Sequence, residues 1–303
     1  MTTTRAELSI QALEDTVNKE YAKKPDEEGR GFRPSRIPVH ILLVIFSILM
    51  FIPFLWMVFS AFKPLDEIFL RPPKLLPNNW TVDGFRTAWE GAPFASAFFN
   101  SFYIAALVTI FTMLTCAMAA YAFARIRFPG SNVLFAIFLA TMMVPFQLTV
   151  IPLYIILGEL QWVDTHLAII VPASLFNAFG VFLLRQYVKG IPLELEEAAA
   201  IDGASRVRTF ITVILPLLRT PMTALGIFVF LGQWNSFFYP LIFLNSEELF
   251  TVPLVVAYFK GAYSSDWTSL MAATTMAALP MLIIFIIAQK QIVEGIALSG
   301  SKT

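Results

Sequence analysis

Residues 185–221 read RQYVKGIPLELEEAAAIDGASRVRTFITVILPLLRTP, and they separate two apolar runs, 167–184 and 222–244, that hold no Asp, Glu, Lys or Arg. Pro192 suits the first position of a helix, where its missing amide would have no partner in any case. Glu194, Glu196 and Glu197 then fall near the positive N-terminal end of that helix. Leu195 and the alanines 198–200 favour helix and leave a smooth face for close approach, and Gly203 fits the left-handed stop after it. A second helix is predicted beyond, because Val207, Phe210, Ile211, Ile214 and Leu218 recur at helical spacing with Arg206 and Arg208 away from them. Such an amphipathic piece is expected to lie at a membrane surface, with Pro216 and Pro221 marking the turn back into the apolar run. A short helix, a tight glycine turn and a surface helix can simply tie off two spans, or can carry displacement between a soluble partner and those spans.

A helix needs about 20 mostly apolar residues to cross hydrocarbon. Six stretches approach that length: 39–62, 96–124, 132–157, 167–184, 222–244 and 269–288, all free of Asp, Glu, Lys and Arg. They are too long, and lack the alternation, for strands of a barrel. The predicted fold is an all-α polytopic membrane protein with six transmembrane helices in a domain over 39–291, between a polar tail (1–38) and a short C-terminal tail (292–303). Pro53, Pro145, Pro152, Pro172, Pro240 and Pro280 lie inside the runs, where each is expected to kink or interrupt its helix; Pro is also simply commoner in membrane helices. With the N-terminal tail, the loop at 125–131, the segment 185–221 and the C-terminal tail on one side, that side carries sixteen Lys and Arg against five on the other. Both termini and the 185–221 loop are therefore expected in the cytoplasm, and the first span reads as an uncleaved anchor.

The composition agrees. Of 303 residues, 57% are apolar and only 14% charged, against roughly 25% charged in soluble domains, and the mean hydropathy is +0.71. A soluble enzyme and a disordered chain are both excluded. Lys+Arg and Asp+Glu are 21 each, so no basic balance points to nucleic acid. Cys116 is the single cysteine, which allows neither an intrachain disulfide nor a multi-thiolate metal site.

The charge-free spans narrow the function further. Ion-coupled carriers place ionisable groups inside the bilayer, and here His40 and His166 sit only at span ends. A P-loop needs Gly-Lys to hold phosphate, and none of the 14 glycines is followed by Lys. No G-x-S-x-G elbow is present. Uphill transport by this chain would draw its energy from another subunit. Amides and a ring suited to a polar solute lie in the runs at Asn100, Gln147, Asn177, Gln233, Trp234 and Asn235; each either lines a path or makes a helix–helix hydrogen bond.

At this point the sequence resembles a known family. Glu197-Ala198-Ala199, Asp202-Gly203-Ala204 and Leu215-Pro216 match the E-A-A-x3-G-x9-I-x-L-P loop of ABC importer permeases, with Val213 at the Ile position. The wider chain, over about 40–295, is similar to the binding-protein-dependent carbohydrate-uptake branch and its MalG-type subunit. FLLRQYVKGIPLELEEAAAIDGAS (182–205) and QWNSFFYPLIFL (233–244) carry that likeness most strongly, with SAFKP (60–64) and FFNS (98–101) beside them.

The resemblance implies a non-catalytic permease subunit of an ATP-driven importer in a bacterial or archaeal cytoplasmic (inner) membrane. It further implies a second permease subunit, two ATPase copies that bind the ATP and Mg, an extracytoplasmic solute-binding protein, and no cofactor in this chain. The 185–221 loop becomes the coupling loop: Glu197 makes the polar contact with the ATPase, Ala198 and Ala199 allow close docking, and Asp202, Gly203, Leu215 and Pro216 complete it. Aromatics of the external loop 245–268, Tyr258, Phe259, Tyr263 and Trp267, are expected against the binding protein, or packed as a lid on the permease itself. The solute is expected to be a sugar, with glycerol phosphate, an amino acid or a polyamine as the alternatives.

Overall fold

The computed structural model describes residues 37–175, 177–262 and 266–300, the side chains of 258–262 and 291–300 excepted. Among them the secondary structure is entirely helical. The elements are α1 (Ile37–Ala61), α2 (Leu65–Ile68), α3 (Asp83–Gly91), α4 (Phe94–Arg125), α5 (Ser131–Ala140), α6 (Phe146–Glu159), α7 (Leu167–Leu175) and α8 (Ala178–Gly190). There follow α9 (Glu194–Ile201), α10 (Arg206–Leu217), α11 (Arg219–Trp234), α12 (Phe238–Phe243), α13 (Val252–Ala262) and α14 (Trp267–Gly300).

The chain divides at residue 54, within α1. Residues 37–54 form an apolar stretch exposed along its whole length. In the larger unit, which begins at Leu55, α4 is the hub and packs against α7, α8 and α11. Its buried face is built from small side chains, among them Ala97, Ser101, Ala105, Thr112, Cys116 and Ala120. These recur every three to four residues, so they share one face. Small side chains let neighbouring backbones approach closely, which is how membrane helices associate where the surrounding lipid is as apolar as the protein. The outward faces carry large apolar groups such as Phe99, Phe102, Ile137 and Ile287. The buried Asn100 amide donates to the Glu248 and Phe250 carbonyls at 2.8 and 3.0 Å, stapling a distant segment onto α4.

The six expected spans are realised unevenly. Four helical stretches are long and apolar enough to cross a membrane: Ile37–Ala61, Phe94–Arg125, Leu167–Gly190, which comprises α7 and α8, and Trp267–Lys290. The other two are bent pairs. The expected 132–157 span turns by 102° between Ser131–Met143 and Phe146–Glu159. Val144 there is extended and Pro145 caps α6, because a proline drives its predecessor out of the helical region. Before the expected 222–244 span, at Leu218 between Pro216 and Pro221 where the turn was expected, α10 and α11 meet at 75°; the span itself ends early, at Trp234, and resumes only as the short α12. Pro145 interrupts its span as expected. Pro53, Pro152, Pro172 and Pro280 lie inside helices that continue past them. Pro240 sits in the first turn of α12, where a missing amide costs no hydrogen bond.

Candidate functional site

The 185–221 segment folds largely as its residues dictate. Its first helix is α9, which starts two residues after Pro192 rather than at it. Leu193 is already helical, and its carbonyl accepts the first bonds, from the amides of Glu196 and Glu197 at 2.9 and 3.1 Å. Gly203 stops the helix at φ +81°, a conformation that side chains with a Cβ resist. There its amide reaches the Ala200 carbonyl and the Ala204 amide reaches that of Ala199, satisfying carbonyls left over at the helix end. Ser205 caps α10 by accepting from the Arg208 amide. The amphipathic stripe of α10 differs from expectation. A π-helical turn over Phe210–Ile214 inserts an extra residue and shifts the register. Thr209, Ile214 and Leu218 are buried, while Val207 and Ile211 are 68% and 54% exposed.

The two central glutamates of α9 point to different sides, as neighbours 100° apart around a helix must. Glu196 turns inward. Its Oε1 accepts from Arg125 Nε at 2.5 Å and its Oε2 from the Tyr121 hydroxyl at 3.1 Å, with both charged side chains about seven-eighths buried. Arg125, the last residue of α4, also donates from Nη2 to the Ile191 carbonyl at 2.5 Å. From α8, Arg185 donates to the Phe123 carbonyl at 3.1 Å and lays its guanidinium 4.0 Å from the centre of the Phe135 ring. Removing one partner of so buried an ion pair leaves an uncompensated charge, at a cost of ~3–5 kcal/mol. Glu197, by contrast, is exposed and has no ion pair or hydrogen bond among the described residues. Ala198, Asp202 and Gly203 are exposed beside it, Ala199 is half-buried, and Ile201 stands 87% exposed. A cleft of about 240 Å³ between α9, α10 and the end of α4 is lined by Tyr121, Arg125, Glu196, Glu197, Ala200 and Arg206, among others.

Leu215 and Pro216 are not part of that face. They are half-buried at the 75° bend, where they line a larger, mostly apolar cavity of about 910 Å³ along α4 and α11, with Phe102, Met113, Met222 and Phe230. None of the six amide and ring positions singled out in the spans lines this cavity. Gln147 is exposed in the first turn of α6. Asn177 accepts from the Gly180 amide at 2.7 Å and caps α8. Trp234 is buried at 3%, donates to the Ala277 carbonyl at 3.4 Å and stacks on Phe230. Asn235 is exposed and donates to its own helix at Leu231, while Gln233 is half-buried without a hydrogen bond to the described residues. Gln233 thus keeps its polar capacity to spare, Asn235 keeps its side-chain oxygen and Asn177 its side-chain nitrogen free of hydrogen bonds to the described residues, whereas Trp234 spends its one donor on packing. Among the described residues no three His, Cys, Asp or Glu side chains gather to hold a metal ion.

Residues 112–297, most of this helical bundle and the whole 185–221 segment, match the family described as binding-protein-dependent transport system inner membrane component. The chain belongs to that family. It is 34% identical over 95% of both chains to a probable ABC transporter permease protein, YurM, of Bacillus subtilis (strain 168). It is 32% identical, over 86% of this chain and 96% of the relative, to the arabinooligosaccharides transport system permease protein AraQ of Halalkalibacterium halodurans. A crystal structure of a bacterial ABC transporter involved in the import of the acidic polysaccharide alginate contains a chain of the same fold, with a TM-score of 0.75 at 21% identity, covering 86% of this chain and 98% of that one. The protein is therefore a multi-pass membrane component of a transport system, a permease.

At the end of α4 away from α9, the permease builds a second ordered region. Residues 245–268 are not a bare loop: a 3₁₀ turn at Glu247–Leu249 leads into α13, whose Val252 and Val255 are fully buried against Phe94, Ala97 and Trp234. The Ser101 hydroxyl oxygen accepts from the Val252 amide at 2.8 Å. His166 bridges Tyr103 on α4 and the Leu249 carbonyl. Of the aromatics expected to meet a partner here, Trp267 opens α14 and is 39% exposed. Tyr263 and the side chains of Tyr258 and Phe259 lie outside the described residues, as do the tail residues 1–36.

Asp164 holds this region together. It sits at φ +59°, and its carboxylate accepts from the Ser246 hydroxyl at 2.6 Å and from the Ser246 and Asn245 amides at 2.9 and 2.8 Å. Those bonds, the Ser246 hydroxyl foremost, hold its pKa below the usual Asp range. A depressed carboxylate contributes stability that is fully present above the unfolded value, about 3.9, and is lost as pH falls through the lower folded value. Asp164→Asn is therefore expected to lower the thermal midpoint of the detergent-solubilised permease near pH 7. It should also flatten the acid limb of midpoint against pH; an unchanged acid limb would show that Asp164 does not carry it.

Proposed function

We propose that this permease moves a sugar, of oligosaccharide or disaccharide size, through the bacterial or archaeal cytoplasmic membrane. The sugar is handed over by an extracytoplasmic binding protein, and the energy comes from a separate ATPase. The observation that carries the coupling is α9. It is a short helix at one end of the bundle, with one glutamate tied into the protein and its neighbour exposed without a partner among the described residues. A groove on an ATPase subunit accommodates such a face: Glu197 meets a cationic or amide donor, Ala198 and Ala199 permit close approach, and Gly203 lets the chain turn away. The excess of Lys and Arg on that side supports a cytoplasmic location for it and for both termini. The complete machine then holds a second permease, two ATPase copies with their ATP and Mg, and one binding protein.

In this reading the permease performs no bond chemistry. ATP binding favours one arrangement of the assembly over another by differential affinity, and the spans follow. Membership of a family with a relative named for arabinooligosaccharide transport supports a sugar as the solute. The deciding experiment is mass-spectrometric identification of the small molecule on the binding protein that co-purifies with the complex. A neutral oligosaccharide is expected; an amino acid, polyamine or phosphorylated solute would replace the sugar assignment. If this polypeptide, reconstituted without an ATPase, concentrates the solute against a gradient, the whole reading falls.

Gln233 and Asn235 remain the best candidates to touch the sugar, because their amides retain free capacity. Gln233→Ala and Asn235→Ala are each expected to slow uptake several-fold while leaving recovery of the assembled complex unchanged. Wild-type uptake kinetics in both would remove them from the path.

A further inference from the structure

Displacement of α9 can reach the bundle by three connections. Through the chain toward α11 it meets a π-helical turn, Pro216 and a 75° bend, a joint where regular helical hydrogen bonding is interrupted and bending is easy. Toward α8 it meets the non-helical residues 191 and 192. The third connection is lateral: Glu196 to Arg125 and Tyr121. That one ends on α4, which is 32 residues long, about 48 Å at 1.5 Å per residue. Of the four long apolar stretches among the described residues, α4 alone has neither Pro nor Gly in it, so neither residue type breaks its hydrogen-bond ladder. It is also the helix on which α7, α8 and α11 pack.

We propose that the Arg125–Glu196 pair, steadied by Tyr121, is the strut through which movement of α9 is delivered to α4 and hence to the opposite end of the permease. The inference rests on the coupling reading given above and adds to it a division of labour between adjacent glutamates. Glu197 faces the ATPase, and Glu196 faces the permease. The bidentate arrangement suits this. Arg125 holds both Glu196 and the Ile191 carbonyl, so α9 is fixed to the α4 terminus in position and in rotation, not merely tethered to it. Arg125 and Glu196 are positioning residues; neither is assigned contact with the sugar or the nucleotide.

The test uses the full complex in proteoliposomes. A reporter cysteine is placed at Phe102, which is 58% exposed toward the other end of α4, while the native Cys116 is buried and does not compete. Its labelling rate with a membrane-impermeant maleimide is compared without nucleotide and with ATP plus vanadate. In the otherwise wild-type complex the trapped nucleotide is expected to change the rate at least fivefold. In Glu196→Gln and in Arg125→Lys that change should shrink to less than twofold in whatever complex is recovered, with ATPase stoichiometry and basal ATP hydrolysis per assembled complex kept within twofold. The exchanged pair Arg125→Glu with Glu196→Arg should recover part of it. A merely structural pair would lower the amount of complex without altering the nucleotide response per assembled complex, and that result overturns the proposal. Should Glu196→Gln not assemble, Tyr121→Phe decides: it removes one hydrogen bond and no charge, and an undiminished response there also overturns the strut. A wild-type chain that brings down no ATPase fails the coupling reading itself, and does so before any substitution is made.

Discussion

Gly180→Val is expected to prevent the bundle from closing and to reduce recovery of monodisperse permease at least tenfold. A Cβ at Gly180 would lie 2.7 Å from Cys116 Sγ on α4, 3.0 Å from Leu225 Cδ2 on α11 and 3.1 Å from Asn177 Oδ1. Three elements converge on this one backbone position, so no single neighbour can yield without moving the others. Over-packing of a tight core costs ~1–3 kcal/mol for small insertions, and valine adds two methyl groups beyond the clashing Cβ. It would also press on Asn177, whose side chain caps α8. Gly180→Ala should fall between valine and wild type, and combining it with Cys116→Ala, which removes the nearest atom, should recover part of the loss. Gly190→Ala is the control, since nothing lies within 4 Å of a Cβ there. The readout is the size-exclusion profile and thermal midpoint in detergent; a valine variant with the wild-type midpoint would show that the three-helix contact is looser than these distances require.

Glu197→Lys is expected to leave the permease inserted and folded but to cut co-purification of the ATPase at least tenfold, equivalent to ~1.4 kcal/mol or more. The structural reason is the contrast with its neighbour. Glu196 is enclosed and paired, so its loss damages the permease itself, whereas Glu197 is exposed and unpartnered among the described residues. Reversing its charge breaks no ion pair or hydrogen bond among the described residues, at the expense only of an exposed charge–dipole interaction at the helix start, and places a cation where the proposed docking face presents an anion. Ile201→Ser, one helical turn on and 87% exposed, should weaken the same contact by loss of apolar area alone, and its effect should be less sensitive to salt than that of Glu197→Lys. Undiminished ATPase recovery with Glu197→Lys would take Glu197 out of the docking face.

The behaviour of the 185–221 segment shows why local signals carry so far and then stop. Gly203 and Ser205 act within a few residues of themselves, through a backbone conformation and a cap, so their roles were legible in order along the chain. The stripe on α10 was not. Periodicity assumes an unbroken helical repeat, and the π turn at Phe210–Ile214 moved Ile211 outward and Thr209 inward. Arg125 and Glu196 are 71 residues apart; each alone reads as a charge at a helix end, and only their meeting gives them a joint role. Asn177 and Trp234 were identifiable as polar groups needing partners, but the identity of those partners depended on which helices became neighbours.

By itself the sequence determined the class of this protein. Charge-free runs of span length admit helices crossing a membrane and little else, because unpaired backbone in hydrocarbon is too costly to leave, and the loop pattern from Glu197 to Pro216 pointed to the transport family. The tertiary structure decided what no local rule contains. It bent the expected 132–157 span, broke the 222–244 span after Trp234, selected α4 as the common packing surface, and turned one glutamate inward and its neighbour outward. Those outcomes depend on contacts between residues distant in the chain, whose energies exist only once the helices have come together.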